Sequence, residues 1–445
     1  MDRVSLARRF VPCLWPGVLQ MTQPDHTATA NDMRTKFRGC LLGGAVGDAL
    51  GAPVEFDTLA DILARHGPAG VTDMVNGRFG RWAITDDTQM TFFTAEGLLR
   101  AHVRGVERGI CAIHALIDGA YLRWLATQDE RPASASQEAY SYLLSIPALH
   151  KRRAPGNTCL SALRNKKRHG DLAANDSKGC GGIMRIAPVG LFYAAPGGAR
   201  SIKSSFEMGV TAAALTHGHP SGQLPSGVFA AIVQRLVEGR SLQVAIDEAE
   251  QELVQHPRHE ETLGAMRTAR MLADRGRPSP ALVETLGGGW VAEEALAIAL
   301  YCALVAASFE HGVLLAVNHS GDSDSTGSLT GQLLGAAGLK AYGLARRRLR
   351  DRGVQSLDHE RHVLLFSLAH ELRELVKRTH RLAHEPIACA RLRVQQELQR
   401  GMEAGRSQGI GDRVLPGFAA HDLNADAEQA LVQVAVQLVE QPQLR

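Results

Sequence analysis

The sequence predicts an all-α fold, a compact multi-helix orthogonal bundle with glycine-rich loops, and three observations predict it. Seven segments place apolar residues at i, i+3, i+4 and i+7, the spacing of one helix face. Strand-like alternation is nearly absent. Breakers such as "THGHPSG", "DRGRPSP" and "LGGGW" divide the segments, so the connections are short and rich in Gly and Pro.

In chain order, residues 1–34 come first, with a basic start and a weakly apolar middle that Pro12 and Pro16 interrupt. No small-residue cleavage site follows in good position, and a disordered extension is expected, ahead of alternative starts at Met21 or Met33. A catalytic domain is expected over 35–385 and a helical appendage over 386–445. The domain opens on "GCLLGGAVGDALGAPVEF". Glycine within a helical pattern costs stability relative to alanine, so this cluster points to close helix–helix or backbone–ligand approach. "MTFFTAEGLLRAHVRG" and "ICAIHALIDGAYLRWLATQ" are the first strongly periodic helices. "SKGCGGIMRIAPVG" is a second glycine cluster, and "SFEMGVTAAALTHG", "SGVFAAIVQRLVEG", "SLQVAIDEAEQELVQH" and "EEALAIALYCALVAAS" continue the helical pattern. The third cluster, "NHSGDSDSTGSLTGQLLGAAG", runs into an apolar helix, and "HVLLFSLAHELRELVKRTHRLAH" closes the domain before Glu385-Pro386. A polar tail with Gly401, Gly405, Gly409 and Gly411 then leads to "AEQALVQVAVQLVEQ". No internal repeat is present.

Composition narrows the function classes. A net charge of +3 over 445 residues, with basic residues scattered among acids, gives no electropositive stripe and no reason to expect nucleic acid. No apolar run approaches a membrane span. The 7 cysteines are dispersed and contain no C-x-x-C pair, which fits neither a disulfide framework nor a structural zinc site. A cytoplasmic monomer is expected.

The chemistry lies in two acidic clusters. "WAITDDTQMT" sets Asp86 beside Asp87, with Thr85 and Thr88 on the flanks, just before a helix. Carboxylates at a helix start also serve as caps, so this cluster alone decides nothing. "HSGDSDSTGS" repeats the arrangement with Asp322, Asp324, Ser325 and Thr326. A calcium loop of the EF-hand type fails here, because the twelfth residue from Asp322 is Leu333 and not Glu. Two clusters of carboxylates and hydroxyls are the donor set that Mg²⁺ and Mn²⁺ require, and a cation neutralises what would otherwise repel. A binuclear metal site is therefore expected. His380 and His384 have i, i+4 spacing but lack a third ligand, and read as solvated. Cys180 has no base near it in sequence and reads as packed rather than nucleophilic.

Together "FRGCLLGGAVGDALGAPVEF", "ITDDTQMT", "GCGGIMRIAPVGL", "THGHP" and "HSGDSDSTGSLTGQLLGA" resemble the ADP-ribosylglycohydrolase family in the family's own motif order, over about residues 36–345. The resemblance implies that Thr85, Asp86, Asp87, Asp322, Asp324 and a following hydroxyl hold two Mg²⁺ or Mn²⁺ ions. Relatives often have Thr directly after the second Asp. Ser325 keeps that spacing here, with Thr326 the alternative. Glu55 matches an acid that relatives place near the metals and the scissile ribose, and an exposed loop carboxylate is the competing reading. Gly181 and Gly182 offer unobstructed backbone N–H groups for a diphosphate or distal ribose, or else pack helices. His217 and, more weakly, Asn157 are candidates for the substrate pocket.

The implied activity is hydrolysis of the bond between ADP-ribose and a modified protein, N-linked arginine first, with ADP-ribose as product. Hydrolysis of O-linked or free ADP-ribose conjugates is a second hypothesis. A catalytically silent ADP-ribose-binding protein is a third.

Overall fold

The structure is a computed structural model that describes residues 30–130, 141, 143–195 and 201–339. The expected N-terminal extension falls almost wholly outside these residues. So do His380, His384, the closing helical segment and the C-terminal appendage.

Among the described residues the chain forms fourteen α-helices: α1 (Ala30–Gly51), α2 (Leu59–His66), α3 (Asp86–Arg108), α4 (Ile113–Thr127), α5 (Asn157–Arg164), α6 (Ala187–Ala194), α7 (Ile202–Ala214), α8 (Pro220–Val237), α9 (Leu242–Leu253), α10 (Glu260–Ala273), α11 (Pro280–Glu284), α12 (Ala292–Leu304), α13 (Phe309–Val317) and α14 (Ser323–Ala336). The only strands there, β1 (Asn76–Gly77) and β2 (Gly80–Arg81), pair antiparallel as a short hairpin between α2 and α3. The all-α prediction holds. No helix among the described residues is long and apolar enough to cross a membrane.

Sequence chemistry explains where the helices start. Ser201, Ser241, Ser279 and Ser308 cap α7, α9, α11 and α13 by accepting from backbone N–H groups in the first turn. Helix α8 is buried along nearly all of its length and packs against α6, α7, α9 and α12, so it forms the centre of the core. The Lys36 ammonium, itself buried, donates to the Leu236 carbonyl 3.1 Å away in the last turn of α8, where free carbonyls and the helix dipole favour a cation.

The pairing that positions the site is α1 against α14. Gly39, Gly43, Gly47 and Gly51 recur every fourth residue on α1 and meet Gly335, Gly331, Gly327 and Ser323 of α14, so the two helices run antiparallel. A Cβ at Gly47 would lie 2.0 Å from the Gly327 carbonyl oxygen, and one at Gly335 would lie 2.0 Å from the Gly39 oxygen. No side chain fits between them. Each helical glycine costs roughly 1 kcal/mol in propensity, which close backbone packing along the seam must offset. The glycines of the first and third clusters therefore lie largely within helices and serve the close helix–helix approach that the sequence predicts. All residues of α14 are buried despite its Ser and Thr content, because the hydroxyls of Thr326 and Thr330 donate to backbone carbonyls within 2.8 Å.

Candidate active site

The antiparallel seam brings the C-terminal end of α1 beside the N-terminal end of α14. Asp48 therefore faces the start of α14, where Asp322 is the N-cap and Asp324 lies in the first turn, and the turn that carries Glu55 follows directly. Asp48 is fully buried and bridges to α3: its carboxylate accepts from the Thr85 backbone N–H at 3.0 Å, the Thr85 hydroxyl at 3.0 Å, and the Thr88 N–H at 3.1 Å. Thr85 itself makes no side-chain cap on α3. An acid on another helix thus caps the first turn of α3 and fixes Asp86 and Asp87 against α1.

Asp86, Asp87, Asp322 and Asp324 are all buried, and their electrostatics show that the clusters have merged. Burial raises the carboxyl of Asp86 and of Asp87 well above the usual range, and the charge of Asp324 raises both further. Asp322 is raised in the same way by burial and by Asp324. Asp324 itself is raised by burial. Asp48 is pushed up to about 7, by burial and then by Asp324, although its hydrogen bonds to Thr88 and Thr85 oppose the shift. Glu55 is pushed up to about 10, by burial and then by Asp324, Asp322 and Asp86. Six carboxylates from three separated segments share one low-dielectric space. Two of their buried oxygens, Glu55 Oε2 and Asp87 Oδ1, have no hydrogen-bond partner.

Serine and threonine after Asp324 face different surroundings. The Thr326 hydroxyl is 2.8 Å from the Ala316 carbonyl and 2.9 Å from His319 Nε2, so it belongs to the scaffold between α13 and α14. The Ser325 hydroxyl lies 3.8 Å from Cys180 Sγ, on the side of the acids. Cys180 donates its thiol to Asp322 Oδ2 at 2.7 Å, and burial and Asp322 hold it well above the ordinary thiol range. It is a protonated donor, as the packed reading expects.

The "GCGG" turn packs against this edge. Gly181 and Gly182 are crowded: a Cβ at Gly181 would meet Cys159 Sγ at 2.8 Å, and one at Gly182 would meet the Gly222 oxygen at 3.0 Å. Close packing restricts both positions to small residues, the condition on which the packing reading rests. His217 lies beneath the turn, buried, with Nδ1 2.8 Å from the Thr216 hydroxyl, and burial together with the charge of Arg185 lowers its pKa to about 3. It is a neutral strut under Gly179 and Gly181. Asn157 is exposed at the first turn of α5, next to Gly156, whose N–H donates to Asp86 Oδ2 at 3.2 Å. Sequence reasoning missed Asp48. The available signal was an acid inside the glycine-rich apolar run "GGAVGDALG".

A model of the ADP-ribosylglycohydrolase family matches residues 29–388. The chain belongs to the ADP-ribosylglycohydrolase family. The ADP-ribosyl-[dinitrogen reductase] glycohydrolase of Rhodospirillum rubrum is 27% identical over 318 residues, covering 69% of this chain and 87% of that protein. An ADP-ribosylarginine hydrolase of Serratia proteamaculans is 26% identical over 310 residues, covering 68% of this chain and 71% of that one. A solved ADP-ribosylglycohydrolase-related protein complex superposes with a TM-score of 0.51 at 25% identity, covering 72% of this chain and 95% of its own.

For an ADP-ribosylglycohydrolase the donor set can be tested against hard cations. Among the described residues no group of three or more His, Cys, Asp or Glu side chains is arranged to hold a metal ion as it stands. The chemistry of the residues nevertheless fits one. The donors are all carboxylate and hydroxyl oxygens, the acids raise one another with Arg78 near Glu55 alone, and two oxygens are buried without hydrogen-bond partners.

Proposed function

We propose that this chain hydrolyses the glycosidic bond between ADP-ribose and a protein acceptor, N-linked arginine first, and releases ADP-ribose. The observation that carries this reading is the convergence of Glu55 with the two acidic clusters at one end of the α1–α14 seam. The relatives named for ADP-ribosylarginine and for ADP-ribosylated dinitrogen reductase support the substrate class.

Thr85, Asp86, Asp87, Asp322, Asp324 and Ser325 would hold two Mg²⁺ or Mn²⁺ ions. When bound, these ions supply positive charge and Lewis acidity toward the ribose hydroxyls. Asp48 is a positioning residue, because it holds the start of α3 through Thr85 and Thr88. Glu55 orients or deprotonates the attacking water, and the surrounding carboxylates stabilise positive charge that develops on the ribose ring as the acceptor departs. Gly181, Gly182 and Asn157 would border the edge on which the remainder of ADP-ribose lies, with His217 supporting that turn from beneath.

The test is mass spectrometry of arginine-linked and serine-linked ADP-ribosyl peptides, incubated with the protein in Mg²⁺ or in excess chelator. The expected outcome is release of ADP-ribose from the arginine-linked peptide, abolished by chelator. Equal turnover in chelator would remove the cations from the reading, and turnover of the serine-linked peptide alone would reassign the acceptor.

A further inference from the structure

Among the described residues the exposed large hydrophobic side chains include two aromatics, Phe56 at 58% exposure and Trp290 at 42%. They stack on each other, with centroids 5.2 Å apart and ring planes 21° from parallel. Neither ring is a stray surface residue, because each is anchored to the loops of the acid cluster. The Phe56 N–H donates to the Gly321 carbonyl at 3.4 Å, and Gly321 precedes Asp322. The Trp290 carbonyl accepts from the Cys180 N–H at 3.1 Å. Phe56 also adopts φ of 75°, a left-handed conformation that a bulky side chain adopts only under strain. A strained, solvent-facing aromatic next to the candidate base is costly for folding alone.

The structure also shows which chemistry the platform accepts. The guanidinium of Arg78, on the turn of the β1–β2 hairpin, lies 5.2 Å from the Phe56 ring centroid and 4.4 Å from that of Phe79. It also lies 3.9 Å from Glu55 Oε2, too far for a hydrogen bond, and that oxygen has no other partner. The Glu55 side chain is only 7% exposed, whereas that of Arg78 is 54% exposed. An aromatic face beside a buried, unpartnered carboxylate is a site for a planar cation, through cation–π attraction on one side and charge-assisted hydrogen bonds on the other. Arg78 fills it loosely from solvent.

We propose that Phe56 and Trp290, together with the Glu55 carboxylate, form the subsite for the guanidinium of the acceptor arginine, and that Arg78 is a displaceable occupant of that subsite. The inference rests on the arginine-linked substrate proposed above. It adds the residues that would distinguish a guanidinium acceptor from a hydroxyl one: a seryl oxygen has neither the planar face nor the charge to use the rings.

The test compares wild type, Phe56→Leu, Trp290→Leu and Arg78→Met as full-length proteins in Mg²⁺. KM for an arginine-linked ADP-ribosyl peptide should rise about 3- to 20-fold in Phe56→Leu and Trp290→Leu, while affinity for free ADP-ribose measured by calorimetry stays within twofold. Arg78→Met should lower KM, because the resident cation no longer competes. Methylguanidine, titrated by calorimetry into the ADP-ribose complex, should bind wild type and lose affinity in both aromatic variants. That binding measurement needs no turnover, so it separates the two ideas. Methylguanidine binding that depends on the rings, in a protein that does not cleave the arginine-linked peptide, would keep the subsite and overturn the proposed reaction. Cleavage with unchanged KM and unchanged methylguanidine binding in both ring variants would overturn the subsite and keep the reaction. Trp290→Leu guards against a Phe56 variant that fails to fold, since Trp290 has no left-handed backbone to disturb.

Discussion

Glu55 faces two conflicting demands. A base must be ionised near neutral pH, yet burial and the charges of Asp324, Asp322 and Asp86 push this carboxyl up to about 10. Arg78 offsets the shift only in part, and the proposed cations would supply the remaining positive charge, which would tie the base to its ions. Glu55→Gln keeps the shape and removes the base. Turnover of the arginine-linked peptide should fall by about 10²–10⁴, while ADP-ribose still binds, because that binding rests on other groups. Calorimetry alongside single-turnover kinetics checks this, and an unchanged rate would return Glu55 to the role of a loop acid. The acids that converge here were legible only as a set: one pair at a helix start reads equally as a cap, and the second cluster, Asp322 with Asp324, is what pointed beyond capping. Asp48 was not legible in this way. It has no acidic neighbour in sequence, and its role as a cap for α3 arises only from packing between helices that are far apart in the chain.

At the scale of elements, the α1–α14 seam decides whether the site assembles. Gly47→Ala would gain roughly 1 kcal/mol of helix propensity, but its methyl would lie 2.0 Å from the Gly327 carbonyl oxygen, with backbone on both sides. Overpacking of this kind costs about 1–3 kcal/mol or more. The variant should therefore melt several degrees below wild type. Gly264→Ala, in α10, meets nothing within 4 Å and should raise the melting temperature slightly by the same propensity gain. Thermal denaturation followed by circular dichroism measures both, and a stable Gly47→Ala would show that the helices can part without cost. The four-residue spacing of Gly39, Gly43, Gly47 and Gly51 was readable as close approach. Its partner helix was not, because Gly327, Gly331 and Gly335 carry the same period nearly three hundred residues later, and periodicity names no partner.

At the scale of the whole molecule, the acid cluster makes stability depend on pH and, with the proposed ions, on cations. Asp48 at about 7 and Glu55 at about 10 lie above their unfolded values, so the metal-free fold binds these protons more tightly than the unfolded chain does. That contribution is complete at low pH and is lost as pH rises through about 7 and then toward about 10. Cations bound as proposed would compete with protons for the same oxygens and restore the balance at high pH. Added Mg²⁺ should accordingly raise the melting temperature more at pH 8.5 than at pH 6. Scanning calorimetry with and without chelator at both values checks the sign, and an equal rise at both would separate the ions from these carboxylates.

The glycine seam has a further consequence for how such a site can change over time. Where two catalytic halves meet through side chains, their separation can drift by fractions of an ångström as one rotamer or one methyl replaces another. Here the halves meet backbone to backbone, so the smallest available step is a whole methyl group driven into a carbonyl oxygen. The spacing between the Asp48–Glu55 end and the Asp322–Asp324 end behaves as a fixed gauge. Novelty in substrate choice would then come from the side chains mounted around the gauge, those of Phe56, Arg78 and Trp290, whose replacement leaves the backbone seam as it is.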